Sequence, residues 1–432
     1  MKSKLTVAVW AGNGIGGTAK AAVLFAVELV RRGHRVMFLS PSGPRDPDLL
    51  HGNVPRINPP AEATGLAEFL KTEQVDLIHQ HVTDYARPTP IHDALRLLGD
   101  QRPRLIETNV FGRVRDSRGD QWVDFRCFVS RACAVQTFQR SGRPFNGDTL
   151  AKSTVLSNPL APLNPAIQAR SYRDEIRKEL GIQANELLIL RFGREGAKWC
   201  RDEVAVFQQV RRRNPLLRML LMEPRKDIWS EVESGKWGEG ILLWRALSDF
   251  DQVAAIYSAG DLMLHMSEFG ESFGYTIAEA MQHGLPVVTR STPWRDNAQV
   301  ELVEHGATGF VCCSRQGAAE CVIRLAGDSD LRAQFGASAV ERIGGLSNLD
   351  YETNLLEEIM RHVVQGEPLK KVTERNHQLV EFDSSFAERE KRAWELEAPG
   401  PSLSYLKGAG YIAYRAFRNK AGHIKRALRR HS

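Results

Sequence analysis

Residues 5–40 read LTVAVWAGNGIGGTAKAAVLFAVELVRRGHRVMFLS, and this stretch decides the fold class. A short β-branched run, LTVAVW (5–10), is followed by a glycine-rich loop. Apolar residues at helical spacing then run from Gly16 to Arg32 and are closed by Gly33. HRVMFLS (34–40) is a second strand-like run. Strand, glycine loop, helix and strand in this order are the opening of a doubly wound parallel α/β sheet. Further strands are expected at VDLIHQH (75–81), RLIETNV (104–110), CFVS (127–130) and STVLSNP (153–159). Residues 41–63 hold six prolines and are expected to form a loop without regular structure.

Residues 161–183 look like a linker with one short helix, after which a second alternation begins. Its strands are expected at 186–192, 217–223, 241–244, 261–267, 285–290 and 309–313, with helices at about 202–213, 249–258 and 275–283. Gly284 and Pro286 end the last of these helices. A helix at about 349–365 follows. The expected organisation is a first α/β domain over 1–165, a second over 166–348, a helix over 349–366 that returns toward the first domain, and a charged segment with a basic tail over 367–432. A chain of 432 residues suits two domains.

Composition narrows the class. Hydrophobic residues make up 42% and charged residues 25%, and no apolar run approaches the roughly 18–20 residues that cross a bilayer. The N-terminus enters a strand without the apolar segment of a secretory signal, so a cytoplasmic location is expected. The six cysteines, two of them adjacent, show no metal-ligand spacing and suit buried thiols in a reducing compartment. The net charge of +6 is unevenly placed: residues 399–432 carry eight Lys/Arg and no acid, which leaves −2 for the rest. A near-neutral body argues against a nucleic-acid partner and puts any anionic partner at the C-terminus.

Three segments carry chemistry. Gly12, Gly14, Gly16 and Gly17 lie between the first strand and its helix, where bare backbone amides make an anion site. Gly12-x-Gly14-x-x-Gly17 is also a dinucleotide fingerprint, but Ser40, Pro41 and Ser42 stand where an NAD enzyme places its ribose-binding acid, with Arg45 left for an NADP variant. Glycines serving only a tight turn and helix packing are the bland alternative. In GREGAKW (193–199), Arg194 and Lys198 follow the second domain's first strand, at the carboxyl edge where ligands bind in such sheets. Two cations there would neutralise charge on a departing diphosphate; a solvated surface pair is the alternative. In HMSEFGESFGYTIAEAMQHGLPVV (265–288), Glu271 lies in a glycine-flanked turn and Glu279 inside the following helix. Between them the amides of Ser272, Phe273, Gly274 and Tyr275 sit at a helix N-terminus suited to phosphate.

Glu271-x7-Glu279 followed by HGLPVV resembles the donor-site signature of the retaining glycosyltransferases of family 4. Gly16-Gly17, DLIHQH (76–81), Asn158-Pro159, Gly193-Arg194 with Lys198, and NAQVELVEHGATGF (297–310) are similar to further family features. The likeness covers residues 1 to about 365. It implies a GT-B architecture, two Rossmann-like doubly wound parallel-sheet domains facing across a cleft, here with a C-terminal helical extension. It also implies transfer of a hexose-type sugar from a nucleotide-sugar donor to a saccharide or lipid-linked acceptor, as in cell-surface polysaccharide assembly. By the same resemblance Glu279 bonds the donor ribose, and Arg194 and Lys198 hold the diphosphate. Glu271 with the amides of Ser272, Phe273, Gly274 and Tyr275 engages the sugar, and Gly16 and Gly17 approach the donor phosphates. No cofactor and no metal are expected. Glu107-Thr108-Asn109 stands where many members place a histidine, and the Arg194-to-Lys198 spacing is one residue short of the common pattern. His81 and Asn109 are therefore the candidates for a polar catalytic helper, and His79 for a packing or capping role. A sugar epimerase or phosphorylase on the same scaffold, or a catalytically silent nucleotide-sugar-binding protein, are the competing readings.

In the tail, Leu406, Gly410, Ala413, Phe417, Ala421, Ile424 and Leu428 define an apolar stripe among eight cations, with Tyr405, Tyr411 and Tyr414 suited to a headgroup boundary. Residues 403–432 are thus a candidate interfacial helix on an anionic membrane surface, peripheral at the inner face of the cell membrane. A helix packed on the body, or a disordered basic tail, is the alternative.

Overall fold

The computed structural model describes residues 4–12, 16–40, 54–83, 90–112, 120–141, 150–163, 170–193, 198–245, 250–293 and 295–379. Gly14, Pro41, Ser42, Arg45, Arg194 and the tail 403–432 lie outside them. The chain divides into two compact units. One runs from the N-terminus to Ala161 and resumes at Ser347; the other spans Pro162–Leu346.

The first unit holds seven described strands: β1 (Thr6–Trp10), β2 (Arg35–Leu39), β3 (Arg56–Ile57), β4 (Leu77–Val82), β5 (Arg104–Asn109), β6 (Phe125–Phe128) and β7 (Ser153–Val155). They form one parallel sheet in the order β3-β2-β1-β4-β5-β6-β7. The strands are short and their central residues are buried, as parallel strands covered on both faces must be. The helix Gly17–Arg31 follows β1 and buries Ala22, Phe25, Ala26 and Leu29. The helix Leu349–Gln365 belongs to the same core: Leu355, Leu356, Ile359 and Met360 pack with Val7, Phe25 and Val36. Each such side chain contributes on the order of 1.5–3 kcal/mol when fully buried. Arg32 clamps the two helices, donating to Asn354 Oδ1 and Glu357 Oε2, each at 2.7 Å.

The segment 41–63 departs from expectation. Arg56 and Ile57 pair with Phe38 and Leu39 as an edge strand, and a helix begins at Ala63. The edge position is the physical reason, because a strand paired on one side tolerates the flanking Pro55, whose carbonyl accepts from Phe38 N at 2.9 Å. The strand expected over 153–159 is confined to Ser153–Val155.

The second unit repeats the plan. Strands β8 (Leu187–Phe192), β9 (Leu217–Met222), β10 (Ile241–Trp244), β11 (Leu262–His265), β12 (Val287–Arg290) and β13 (Gly309–Cys312) lie parallel in the order β10-β9-β8-β11-β12-β13. Between them the chain forms helices that include Arg201–Arg211, Phe250–Ala259 and Tyr275–Gln282. In each sheet the order reverses once, between β1 and β4 in the first and between β8 and β11 in the second. The carboxyl ends of the strands at such a reversal diverge and leave the crevice where α/β sheets bind ligands. All six cysteines are free thiols, five of them buried. Among the described residues no helix is long and apolar enough to cross a membrane.

Candidate active site

At the reversal in the second sheet, the segments leaving β8 and β11 bring Lys198 and Glu271 together, although they are 73 residues apart in sequence. Lys198 Nζ pairs with Glu271 Oε2, while Glu271 Oε1 lies 3.2 Å from Nε2 of His265, the last residue of β11. The Glu271 side chain is 8% exposed and that of Lys198 is 48% exposed, so the pair has one fixed and one movable member. Burial alone would raise the Glu271 carboxyl. The Lys198 charge and the His265 hydrogen bond outweigh it and hold the group at about 2. Glu271 is therefore an anion at any physiological pH, able to accept hydrogen bonds from hydroxyl groups.

The turn that carries Glu271 is held by its own backbone. Glu271 N donates to Gln299 Oε1 at 2.9 Å, and its carbonyl accepts from Ala298 N at 2.7 Å. Gln299 in turn bonds Arg290 O and Thr292 Oγ1, both at 2.8 Å. Gly270, at φ +65°, presses against this support so closely that a Cβ there would fall 1.7 Å from Asp296 O. Only glycine fits such a left-handed, crowded position. Gly274 precedes the helix Tyr275–Gln282. Phe273 is buried, whereas Ser272 and Tyr275 are partly exposed at the helix N-terminus.

Lys198 is placed by a network that sequence reading missed. Arg191, 1% exposed inside β8, forms an ion pair with Glu203 of the helix Arg201–Arg211, itself 0% exposed. The Arg191 guanidinium lies 4.3 Å from the centre of the Trp199 ring and donates to Lys198 O at 3.2 Å. Glu203 also accepts from Met266 N at 2.8 Å, and Cys200 Sγ donates to Met266 O at 3.0 Å. The segment after β8 is thus stitched to the segment after β11. An arginine in the middle of an apolar strand was the available signal, since a buried cation demands a carboxylate.

Glu279 projects from the helix Tyr275–Gln282 and accepts from Tyr257 Oη at 3.0 Å. The Tyr257 ring is stacked between Phe192, at 4.1 Å, and His283, at 5.2 Å. Burial, and then the neighbouring Glu279 charge, push the Tyr257 phenol well up, so it stays a proton donor. Arg194 lies outside the described residues.

In the first unit, Gly12 and Gly16 border the segment between β1 and its helix, and Gly17 starts the helix. Gly16 is extended, and a Cβ at Gly12 or Gly16 would meet no described atom within 4 Å. Among the described residues, then, nothing crowds either position. His79, fully buried in β4, bonds Thr108 Oγ1 at 2.8 Å and is pushed down to about 3 by burial. The His81 ring lies 4.4 Å from that of His79, and burial followed by His79 lowers it well below the usual range. Neither ring nitrogen of His81 has a hydrogen-bond partner among the described residues. Asn109 ends β5, pairs in register with Val82, and is 1% exposed. His81 and Asn109 thus sit at neighbouring strand ends of the first sheet.

Residues 187–328, which contain every strand of the second sheet, match the family described as glycosyl transferases group 1. The chain is a glycosyltransferase. It is 23% identical over 363 residues to the N-acetyl-alpha-D-glucosaminyl L-malate synthase of Bacillus anthracis, covering 79% of this chain and 92% of that relative. A glycosyltransferase from Rickettsia africae superposes with a TM-score of 0.70 at 15% identity, over 85% of this glycosyltransferase and all of that chain. Anabaena Alr3699/HepE in complex with UDP-glucose superposes with a TM-score of 0.65 at 16% identity, over 82% and 98% of the two chains. These likenesses place the two parallel-sheet domains of the glycosyltransferase in the GT-B fold class.

Proposed function

We propose that this glycosyltransferase belongs to the retaining enzymes of family 4 and moves a hexose-type sugar from a nucleotide-sugar donor to a saccharide or lipid-linked acceptor. The observation that carries the reading is the pairing of Lys198 with Glu271 at the sheet's reversal, one helical segment away from Glu279. Lys198, half exposed on a four-carbon stem, reaches a diphosphate, and Arg194 supplies the second cation. Glu271 and the amides of Ser272, Phe273, Gly274 and Tyr275 take the sugar's hydroxyls and the adjoining phosphate. Glu279 takes the ribose, and Gly16 and Gly17 are proposed as phosphate-contacting positions of the first domain. The bond from the sugar's anomeric carbon to phosphate breaks as the acceptor oxygen bonds on the same face. The leaving phosphate oxygen receives the acceptor's proton, so no carboxylate nucleophile is required. His81 or Asn109, at neighbouring strand ends of the first sheet, is proposed as the polar helper. Alr3699/HepE, solved with UDP-glucose, and the Bacillus relative, named for a glucosaminyl product, support a sugar donor of this class. Cell-surface polysaccharide assembly is the proposed setting.

A panel of nucleotide sugars incubated with purified protein and read by mass spectrometry tests this. Release of nucleoside diphosphate from at least one donor is expected, and none from any donor overturns the reading. With Lys198 and Arg194 proposed to neutralise the phosphates, the reaction is proposed to need no divalent metal. The same assay in EDTA should give unchanged rates; loss that magnesium or manganese restores would contradict that. The basic tail is proposed to hold the enzyme peripherally on the cytoplasmic leaflet, at about 1 kcal/mol per basic residue near an anionic surface. Full-length protein should float with anionic liposomes, and a chain ending at Pro399 should not. Equal recovery of both in the soluble fraction removes the membrane from the proposal.

A further inference from the structure

Lys198 accounts for one oxygen of Glu271. The other faces His265, whose side chain is 3% exposed, with Nε2 at 3.2 Å from Oε1. We propose that His265 is a positioning residue for sugar transfer: its Nε2–H fixes the Glu271 carboxylate in the orientation that presents it to the hydroxyls of the transferred sugar. The inference rests on the sugar-binding role of Glu271 given above.

Two observations separate this role from ordinary packing. The backbone of Glu271 is already fixed on both sides, by Gln299 and by Ala298, so the turn does not need His265 to stay in place. What His265 adds is the rotation of the carboxylate about its last bond, which a half-exposed lysine on a flexible stem does not define. The charge state also suits the task. The charged groups that face His265 are Arg191 from β8, Glu203 from the helix Arg201–Arg211, and Glu271 itself, with Lys198 beyond it. Burial and then the Arg191 cation lower the imidazole despite the two carboxylates, so it is neutral. A neutral donor orients the anion without adding a second cation beside Lys198, and Glu271 keeps its charge for the ligand. The Thr289 hydroxyl, donating to His265 O at 3.0 Å, fixes the end of the strand from the other side.

The test compares His265→Phe, which keeps a ring and loses the donor, with His265→Gln, which keeps an N–H near the position of Nε2. Binding is measured by calorimetry for the nucleotide sugar that the panel identifies and for its nucleoside diphosphate, UDP-glucose and UDP in the case of a uridine donor. The Phe variant should lose about 10–100-fold in kcat/KM, as is typical when a supporting hydrogen bond to a functional group is removed. It should also bind the nucleotide sugar more weakly while the diphosphate affinity stays within about twofold, a split that general destabilisation does not produce. The Gln variant should recover most of the loss. Should the Phe variant fail to fold, His265→Asn, whose amide stops short of Nε2, carries the same comparison against Gln. Equal kinetics in wild type, Phe and Gln overturn the inference, as does equal weakening of sugar nucleotide and diphosphate. A wild type that turns over no nucleotide sugar overturns the reading of the site, and the inference falls with it.

Discussion

Glu279→Ala and Arg194→Ala are each expected to lower turnover at least about 100-fold while the protein stays folded. A factor of 100 corresponds to about 2.7 kcal/mol, the size of loss typical when one preorganised contact to developing charge is removed. For Arg194 the argument is electrostatic: charge accumulates on the diphosphate as the glycosidic bond breaks, so a cation beside it is worth more in the transition state than before it. For Glu279 the argument is structural as well. Its carboxylate is held by Tyr257 Oη at 3.0 Å, and Tyr257 is locked between Phe192 and His283. The group proposed to take the ribose therefore has its direction already fixed. Removing that group does not strand the Tyr257 hydroxyl, because Thr276 O, at 3.2 Å, is within reach as an alternative acceptor. Steady-state kinetics on variants whose Tm matches wild type provide the check. Near-wild-type kinetics in a folded Arg194→Ala protein would sink the diphosphate clamp.

The strands were legible because parallel strands buried on both faces read as short apolar runs. LTVAVW, ELLILRF and LPVVTR each stand within a residue or two of β1, β8 and β12. The helices of the second half were less so. In the helix Ser329–Leu346, three glycines interrupt the helical pattern. One of them, Gly336, is required by contact rather than by propensity, since a Cβ there would lie 2.2 Å from Gly284 O. No local rule reveals that approach. The same limit applies to the site. Glu271 and Glu279 are eight residues apart, and their motif is readable in one line. Lys198 meets Glu271 only because β8 and β11 are neighbours at the reversal of the sheet. His265 and Arg191 stood in plain view as polar residues inside apolar strands, and such residues ask for partners. Their partners come from other elements, and only the folded sheet supplies them.

Glu203→Gln is expected to be among the most destabilising conservative substitutions in the second domain. Arg191 and Glu203 are 1% and 0% exposed, so the pair is out of water. Removing the charge of one member of a buried pair leaves the other uncompensated and costs about 3–5 kcal/mol. For a domain of this size, each kcal/mol moves Tm by about 2–4 °C, so a fall of about 6–20 °C is expected. Replacing both residues together, Arg191→Met with Glu203→Leu, should cost less than Glu203→Gln alone, because no stranded charge remains. The pair also has a functional side. Arg191 holds Lys198 O and faces the Trp199 ring, while Glu203 holds Met266 N, so the pair ties the segment after β8 to the segment after β11. A double variant that regains stability should therefore still transfer sugar poorly, since Lys198 is no longer fixed opposite Glu271. Scanning calorimetry and donor-hydrolysis rates on the single and double variants decide both points. A Glu203→Gln protein that melts within a degree of wild type would show that the buried pair does not hold the domain. A stable double variant with full activity would show that Lys198 is positioned without it.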